Sequence, residues 1–271
     1  MRILSFDTSA EAVQVALLQD GTPVAQYSHG PDQGVAQGAP RQQAGATLLP
    51  LIDTALKEQG WEKQSLECLV VGVGPGSFTG IRTGVVTART LAQALNLPLV
   101  PVSLLECFAS ACELPVAVVL SASRGHSFAA AYCRAPSTDE LSLRLPLLDE
   151  LIAPAYVPHK ELIPLLESVS RWAVAQDAMD FVQGCSNELT ELPKVKNIAM
   201  QQAQIAWNRL SLRMSKDAGG DTGRRQSLLE LFPYNNVQPL YLRSPSVTVK
   251  PSNTQASHGN ENQANAPGRH R

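Results

Sequence analysis

The sequence predicts an α/β protein assembled from two similarly wired halves. Three observations carry that expectation. An apolar strand, Cys68-Leu69-Val70-Val71, runs into a glycine-rich turn and then a helical pattern that lasts to about Leu95, the strand–loop–helix order of α/β folds. A meander of short alternating strands occupies the first thirty residues, and a comparable pattern restarts near residue 115. A strand, a polar turn and a second strand occur around Asp7-Thr8-Ser9 and again around Ser121-Ala122-Ser123-Arg124-Gly125.

In chain order, Ile3-Leu4-Ser5-Phe6 is the first strand. Val13, Val15 and Leu17 alternate with Gln14 and Ala16 in the second, and Val24-Ala25-Gln26-Tyr27 is the third. Asp20-Gly21 between the last two is a strong signal for a two-residue hairpin. Glycine and proline from Gly30 to Pro40 mark a loop. A helix is expected over about 41–59, with Ala44, Leu48, Leu51, Ile52, Ala55 and Leu56 on one side and Pro50 kinking it. The Cys68 strand and the 78–95 helix follow. Leu97 to Val102 reads as another buried strand, Ser103 to Cys112 as a short helix, and Pro115 to Leu120 with Ser127 to Cys133 as the second meander. After Leu141 periodicity thins, leaving helices at about 159–168 and 198–214 and a loop from Lys216 to Arg225.

Composition bounds the rest. Of 271 residues, 44% are hydrophobic, 17% charged and 5% aromatic, so the core must be largely aliphatic. A formal charge of −2 excludes the chain-wide basic field that drives nucleic-acid binding by counterion release, and any contact with RNA is expected to rely on a partner. Five cysteines (Cys68, Cys107, Cys112, Cys133 and Cys185) form no C-x-x-C pair and read as reduced thiols. No run approaches the roughly 18 apolar residues that span a bilayer, which places the expected chain in the cytoplasm with no membrane partner. From Pro251 onward the only apolar side chains are alanines and one more proline, so residues 244–271 are expected to be a disordered, solvated tail.

The glycine-rich turn Gly72-Val73-Gly74-Pro75-Gly76-Ser77-Phe78-Thr79-Gly80 is neither common nucleotide motif. A P-loop needs Gly-Lys, which the chain lacks, and the dinucleotide fingerprint needs a glycine where Ser77 or Thr79 stands. Two readings remain: a turn capped by Ser77 or Thr79 with no ligand, or a helix start whose N–H groups meet an anion. In the helix itself, Gly80, Gly84, Ala88 and Ala92 recur every four residues and share one face. Glycine within a helix costs up to about 1 kcal/mol relative to alanine, so this stripe calls for close approach, either of the chain's own sheet or of a partner subunit.

The segments Ile3-Leu4-Ser5-Phe6-Asp7-Thr8-Ser9, Arg41-Gln42 with Leu48-Leu49-Pro50-Leu51-Ile52, Gly74 to Gly84 and Pro239-Leu240-Tyr241-Leu242-Arg243 together resemble the TsaB (YeaZ) family. That family supplies the dimerization subunit of bacterial tRNA threonylcarbamoyladenosine biosynthesis. The resemblance implies a duplicated actin-like, sugar-kinase-like fold, with lobes over 1–112 and 113–243. It implies a non-catalytic subunit that pairs with the transferase TsaD, works with the ATPase TsaE, and meets tRNA only through the complex, where adenosine 37 of tRNAs reading codons that begin with A is modified. It also implies pairing, with that partner or a second copy, through the helices over 41–59 and 78–95. The interface residues expected on that basis are Arg41, Leu48, Ile52, Gly80, Gly84, Ala88 and Ala92.

Two positions depart from the family pattern. Gln43 stands where histidine is common, and Ser121-Ala122-Ser123 where the second-half turn usually reads Asp-Ala-Arg. ATP-using members of the fold place an acidic residue in each of two opposed turns around Mg²⁺ and the phosphates. Asp7 suits one such place and Ser121 cannot supply the other, so Asp7, Thr8, Ser9, Gly76 and Ser77 are expected to be a vestigial phosphate site. His29, His126, His159, His258 and His270 include no H-x-x-x-H pair, hence no metal site of the catalytic relative's kind. The chain is expected to have no catalytic residues and to need no cofactor, ATP and metal belonging to partner subunits. Two rival readings are an ATP-dependent small-molecule kinase of the same fold and a self-associating module without a tRNA role.

Overall fold

The computed structural model describes residues 1–10, 12–30, 44–136, 145–214 and 221–242. The loop expected over 30–40, Arg41, Gln43, Arg243 and the 244–271 tail lie almost wholly outside the described residues.

The first sheet is built from β1 (Arg2–Asp7), β2 (Val13–Gln19), β3 (Thr22–His29), β4 (Cys68–Gly72) and β5 (Leu99–Val102), in the order β3-β2-β1-β4-β5. β1 to β3 form an antiparallel meander, and β4 and β5 continue the sheet in parallel. Asp20 and Gly21 both take positive φ (48° and 75°), as the predicted tight hairpin requires. The second sheet contains β6 (Val116–Ser121), β7 (His126–Arg134), β8 (Leu148–Pro158), β9 (Arg171–Val174) and β10 (Glu188–Glu191). Its order, β8-β7-β6-β9-β10, has the same antiparallel meander and the same two parallel strands, so the expected duplication is real.

Among the described residues, six α-helices cover the sheets: α1 (Ala44–Glu58), α2 (Phe78–Leu95), α3 (Leu104–Ala109), α4 (His159–Leu166), α5 (Ile198–Met214) and α6 (Asp221–Leu231). α1 continues through Pro50, which is exposed. α1 and α2 lie on one face of the first sheet, where Leu48, Ile52, Ile81, Val85, Ala88 and Ala92 meet Leu4, Phe6, Leu69 and Val71. The opposite face, with Ile3, Ala16, Leu18, Cys68 and Val70, is covered by α5. α4 packs on the second sheet around Trp172 and Ala129, and α3 packs on its other face through Leu105 and Ala109.

Helices are therefore exchanged between the sequence halves. α3 precedes residue 113 but covers the second sheet, and α5 and α6, placed by the sequence division in a 113–243 lobe, cover the first. The return is fixed by Leu99 N–H bonding to Phe232 O at 3.0 Å and Leu240 N–H to Val73 O at 2.9 Å. The loop expected over 216–225 is corrected at its end, since Asp221 to Arg225 begin α6. Leu228 of α6 is buried in the core, and the Arg225 guanidinium donates to Leu95 O and Asn96 O at the α2 C-terminus. That cation compensates free carbonyls at a helix end, a tertiary gain that local composition does not show.

Candidate functional site

β1 delivers Asp7 to the end of its strand with no solvent exposure (0%), and each carboxylate oxygen has its donors inside the fold. Oδ1 accepts from the Ser9 N–H and the Ser9 hydroxyl, both at 2.8 Å, and from the Ala10 N–H at 3.3 Å. Oδ2 accepts from the Gln202 side-chain amide at 2.7 Å, reaching across from α5. Gly72 is required beneath this pair, because a Cβ there would lie 1.7 Å from Asp7 Oδ2. This geometry does not fit a hydrated divalent cation, which needs carboxylate oxygen and room for several waters.

The neighbouring residues close the turn further. Ser77 N–H bonds to Ser9 O at 2.9 Å, and Ser77 Oγ accepts from Gly80 N–H at 3.3 Å as the N-cap of α2. Thr8 Oγ donates to Gly80 O at 2.7 Å. Asp7, Thr8, Ser9, Gly76 and Ser77 are thus brought together as expected, but against one another. A Cβ at Gly76 would stand 2.3 Å from Ser9 O, one at Gly80 1.9 Å from Thr8 O, and one at Gly84 2.4 Å from Thr8 Oγ1.

These contacts decide which way the small-residue stripe faces. Gly80 and Gly84 are small because the β1 turn runs over them, and Ala88 and Ala92 are buried in the core beneath. Leu48 and Ile52 are likewise core residues. Leu48, Ile52, Gly80, Gly84, Ala88 and Ala92, expected at an interface, are thus buried within their own fold, and Arg41 lies outside the described residues.

The second-half turn is a tied hairpin without a carboxylate. Arg124 and Gly125 take positive φ, Tyr156 OH donates to Ser123 O at 3.0 Å, and the His126 ring stacks on Tyr156 at 4.4 Å. Among the described residues, no group of three His, Cys, Asp or Glu side chains is placed to hold a metal ion. Burial pushes the Cys68 and Cys107 thiols up, and at Cys107 the charges of Asp7 and Glu106 add to that, so neither offers a thiolate nucleophile at neutral pH.

What the first lobe does offer is the outer face of α1 and α2. Leu49 is 50% exposed and Val86 56%, each next to an inward residue of its helix. Between the helices runs an apolar groove of about 360 Å³ lined by Leu49, Pro50, Leu56, Leu91 and Leu95, with Asp53 and Lys63 at its edge. At the start of α2, Phe78 stacks on Tyr241 at 4.8 Å, both partly exposed. The sequence reading missed these residues, although the helical period that turns Gly84 and Ala88 inward turns Val86 outward. Gln202 left no local signal, being 195 residues from Asp7.

With this geometry in hand, comparison with known proteins is informative. The TsaD family, described as tRNA N6-adenosine threonylcarbamoyltransferase, matches residues 25–209. The TsaB proteins of Escherichia coli K12 and Bacillus subtilis 168 are 37% identical over 109 residues and 34% identical over 110. The chain belongs to the TsaD family, and over part of its length it is similar to these TsaB proteins. Those matches take in 40% and 41% of this chain and 43% and 44% of the two TsaB proteins, so the chain spans under half the length of the curated relatives it matches. A solved YeaZ from Pseudomonas aeruginosa superposes with a TM-score of 0.59 at 22% identity over 79% of this chain and 93% of that one. A second P. aeruginosa structure, described as similar to peptidase YEAZ, gives 0.61 at 22% identity over 89% of this chain and 99% of that one. Together with the repeated sheet wiring, these show that the chain has the duplicated α/β fold of the YeaZ structures. Among the described residues, no helix is long and apolar enough to cross a membrane.

Proposed function

We propose that this chain is a non-catalytic subunit of tRNA threonylcarbamoyladenosine biosynthesis. It pairs with the threonylcarbamoyltransferase TsaD, works alongside the ATPase TsaE, requires no cofactor of its own and meets tRNA through the assembled complex. The observation that carries the reading is the outer face of α1 and α2, where Leu49, Pro50 and Val86 are exposed and an apolar groove opens between the helices. An apolar groove with exposed apolar side chains on the same two helices is surface that a partner can bury. The relatives' names, biosynthesis protein TsaB and N6-adenosine threonylcarbamoyltransferase, supply the pathway.

The test is reconstitution from purified full-length components of the chain's own organism, omitting each in turn. Supplied with tRNA, ATP and an activated threonylcarbamoyl donor, whose leaving group departs as the adenosine nitrogen is acylated, this chain, the transferase and the ATPase together are expected to give threonylcarbamoylated tRNA, and this chain alone none. Product from the isolated chain, or failure to associate with the transferase, overturns the proposal.

A further inference from the structure

Asp7 is the carboxylate that the family resemblance marks as half of a vestigial phosphate site. Here that carboxylate is already engaged. We infer that Gln202 is a built-in stopper, an amide from α5 that holds Asp7 Oδ2 and so closes the first phosphate turn of this chain to divalent cations and metal-bound nucleoside polyphosphates. Three observations converge on it. Asp7 is fully buried and its two oxygens accept four hydrogen bonds from Ser9, Ala10 and Gln202. Gln202 is itself fully buried, and the Asp7 and Gln202 atoms fill the space above Gly72, whose added Cβ would stand 1.7 Å from Asp7 Oδ2 and 2.6 Å from Gln202 Nε2.

The third is the fate of the other amide atom. Gln202 Oε1 is buried with no hydrogen-bond partner among the described residues. A free glutamine would turn to satisfy both ends, but turning this one would set its oxygen against the Asp7 carboxylate. The Nε2 bond to a buried carboxylate is therefore what fixes the side chain, consistent with charge-assisted bonds being stronger than neutral ones. The inference stands apart from the pairing proposed above, because a chain that bound nucleotide at Asp7 would still be free to pair through α1 and α2.

The experiment uses the full chain and two probes, Mg²⁺-ATP followed by calorimetry and Mn²⁺ followed by the loss of its free electron-paramagnetic signal. The wild-type chain should show no saturable binding of either. Gln202→Ala, which frees Asp7 Oδ2 and opens space, should gain Mn²⁺ binding that Asp7→Asn abolishes. Gln202→Glu places a second carboxylate against the first and should make folding cation-dependent, its thermal midpoint rising about 2–4 °C at several times the dissociation constant of Mn²⁺ while the wild type does not move. Saturable Mg²⁺-ATP binding by the wild type that Asp7→Asn removes would overturn the inference. So would folded Gln202→Ala and Gln202→Glu proteins that remain blind to Mn²⁺.

Discussion

A methyl group added at Gly80 or Gly84 separates the two ways the small-residue stripe can face. In both variants alanine improves helix propensity by up to about 1 kcal/mol, so a stripe facing solvent or a loose partner would make the isolated chain more stable. The structure predicts the opposite. At Gly84 the new carbon meets Thr8 Oγ1 at 2.4 Å, and at Gly80 it meets the Thr8 main-chain oxygen at 1.9 Å. Overpacking typically costs 1–3 kcal/mol, and displacing the Thr8 hydroxyl also breaks its 2.7 Å bond to Gly80 O, a net loss of about 1 kcal/mol. Gly84→Ala is therefore expected to destabilise by about 1–3 kcal/mol after the propensity gain. Gly80→Ala should cost about 3 kcal/mol, because its obstacle is backbone. Thr8→Ala distinguishes them further: it removes the atom that blocks Gly84→Ala and should make that change nearly neutral, while leaving Gly80→Ala as costly as before. Urea unfolding of the single and double variants measures these differences. A Gly80→Ala protein at least as stable as wild type would refute the inward-facing stripe.

Further expectations follow from the same contacts. Val86→Asp, at a position 56% exposed, should leave the unfolding midpoint within about 0.5 kcal/mol of wild type yet weaken association with the transferase roughly tenfold or more in sedimentation or calorimetry; unchanged affinity would move the pairing face elsewhere. Glu106→Ala removes both the capping-box bond to Ser103 N–H and the ion pair to Arg209, and should lower stability by about 1–3 kcal/mol; Glu106→Gln, which keeps a cap, should recover part of it. Because burial pushes the Cys68 and Cys107 thiols up, both should resist an aromatic disulfide reagent at pH 8 in the native chain and react on unfolding; rapid labelling of either in the native chain would contradict their enclosure.

How much was legible in the sequence depends on how local the signal was. The Asp20-Gly21 hairpin, a cap at Ser77 or Thr79, of which the structure uses Ser77, and the full length of α2 were readable because turn chemistry, capping and the 3.6-residue period act over a few neighbours. The duplication was visible in its antiparallel halves, whereas β8, β9 and β10 went unread. β8 is partly exposed along most of its length and carries two prolines, and β9 and β10 are four residues each, too short for periodicity to register.

The candidate site divides along the same line. Sequence alone determined that Asp7-Thr8-Ser9 and the Gly74-to-Gly84 segment match one family's motifs, and that Ser121 leaves the second turn without a carboxylate. Only the tertiary structure decided that Gly80 and Gly84 face Thr8 and not a partner, that α5 crosses to cover the first sheet, and that Gln202 closes on Asp7. The physical reason is that a stripe of small residues records only that something comes close. What comes close is set by packing between segments as much as 195 residues apart in the chain, and that pairing leaves no trace in the spacing of either segment.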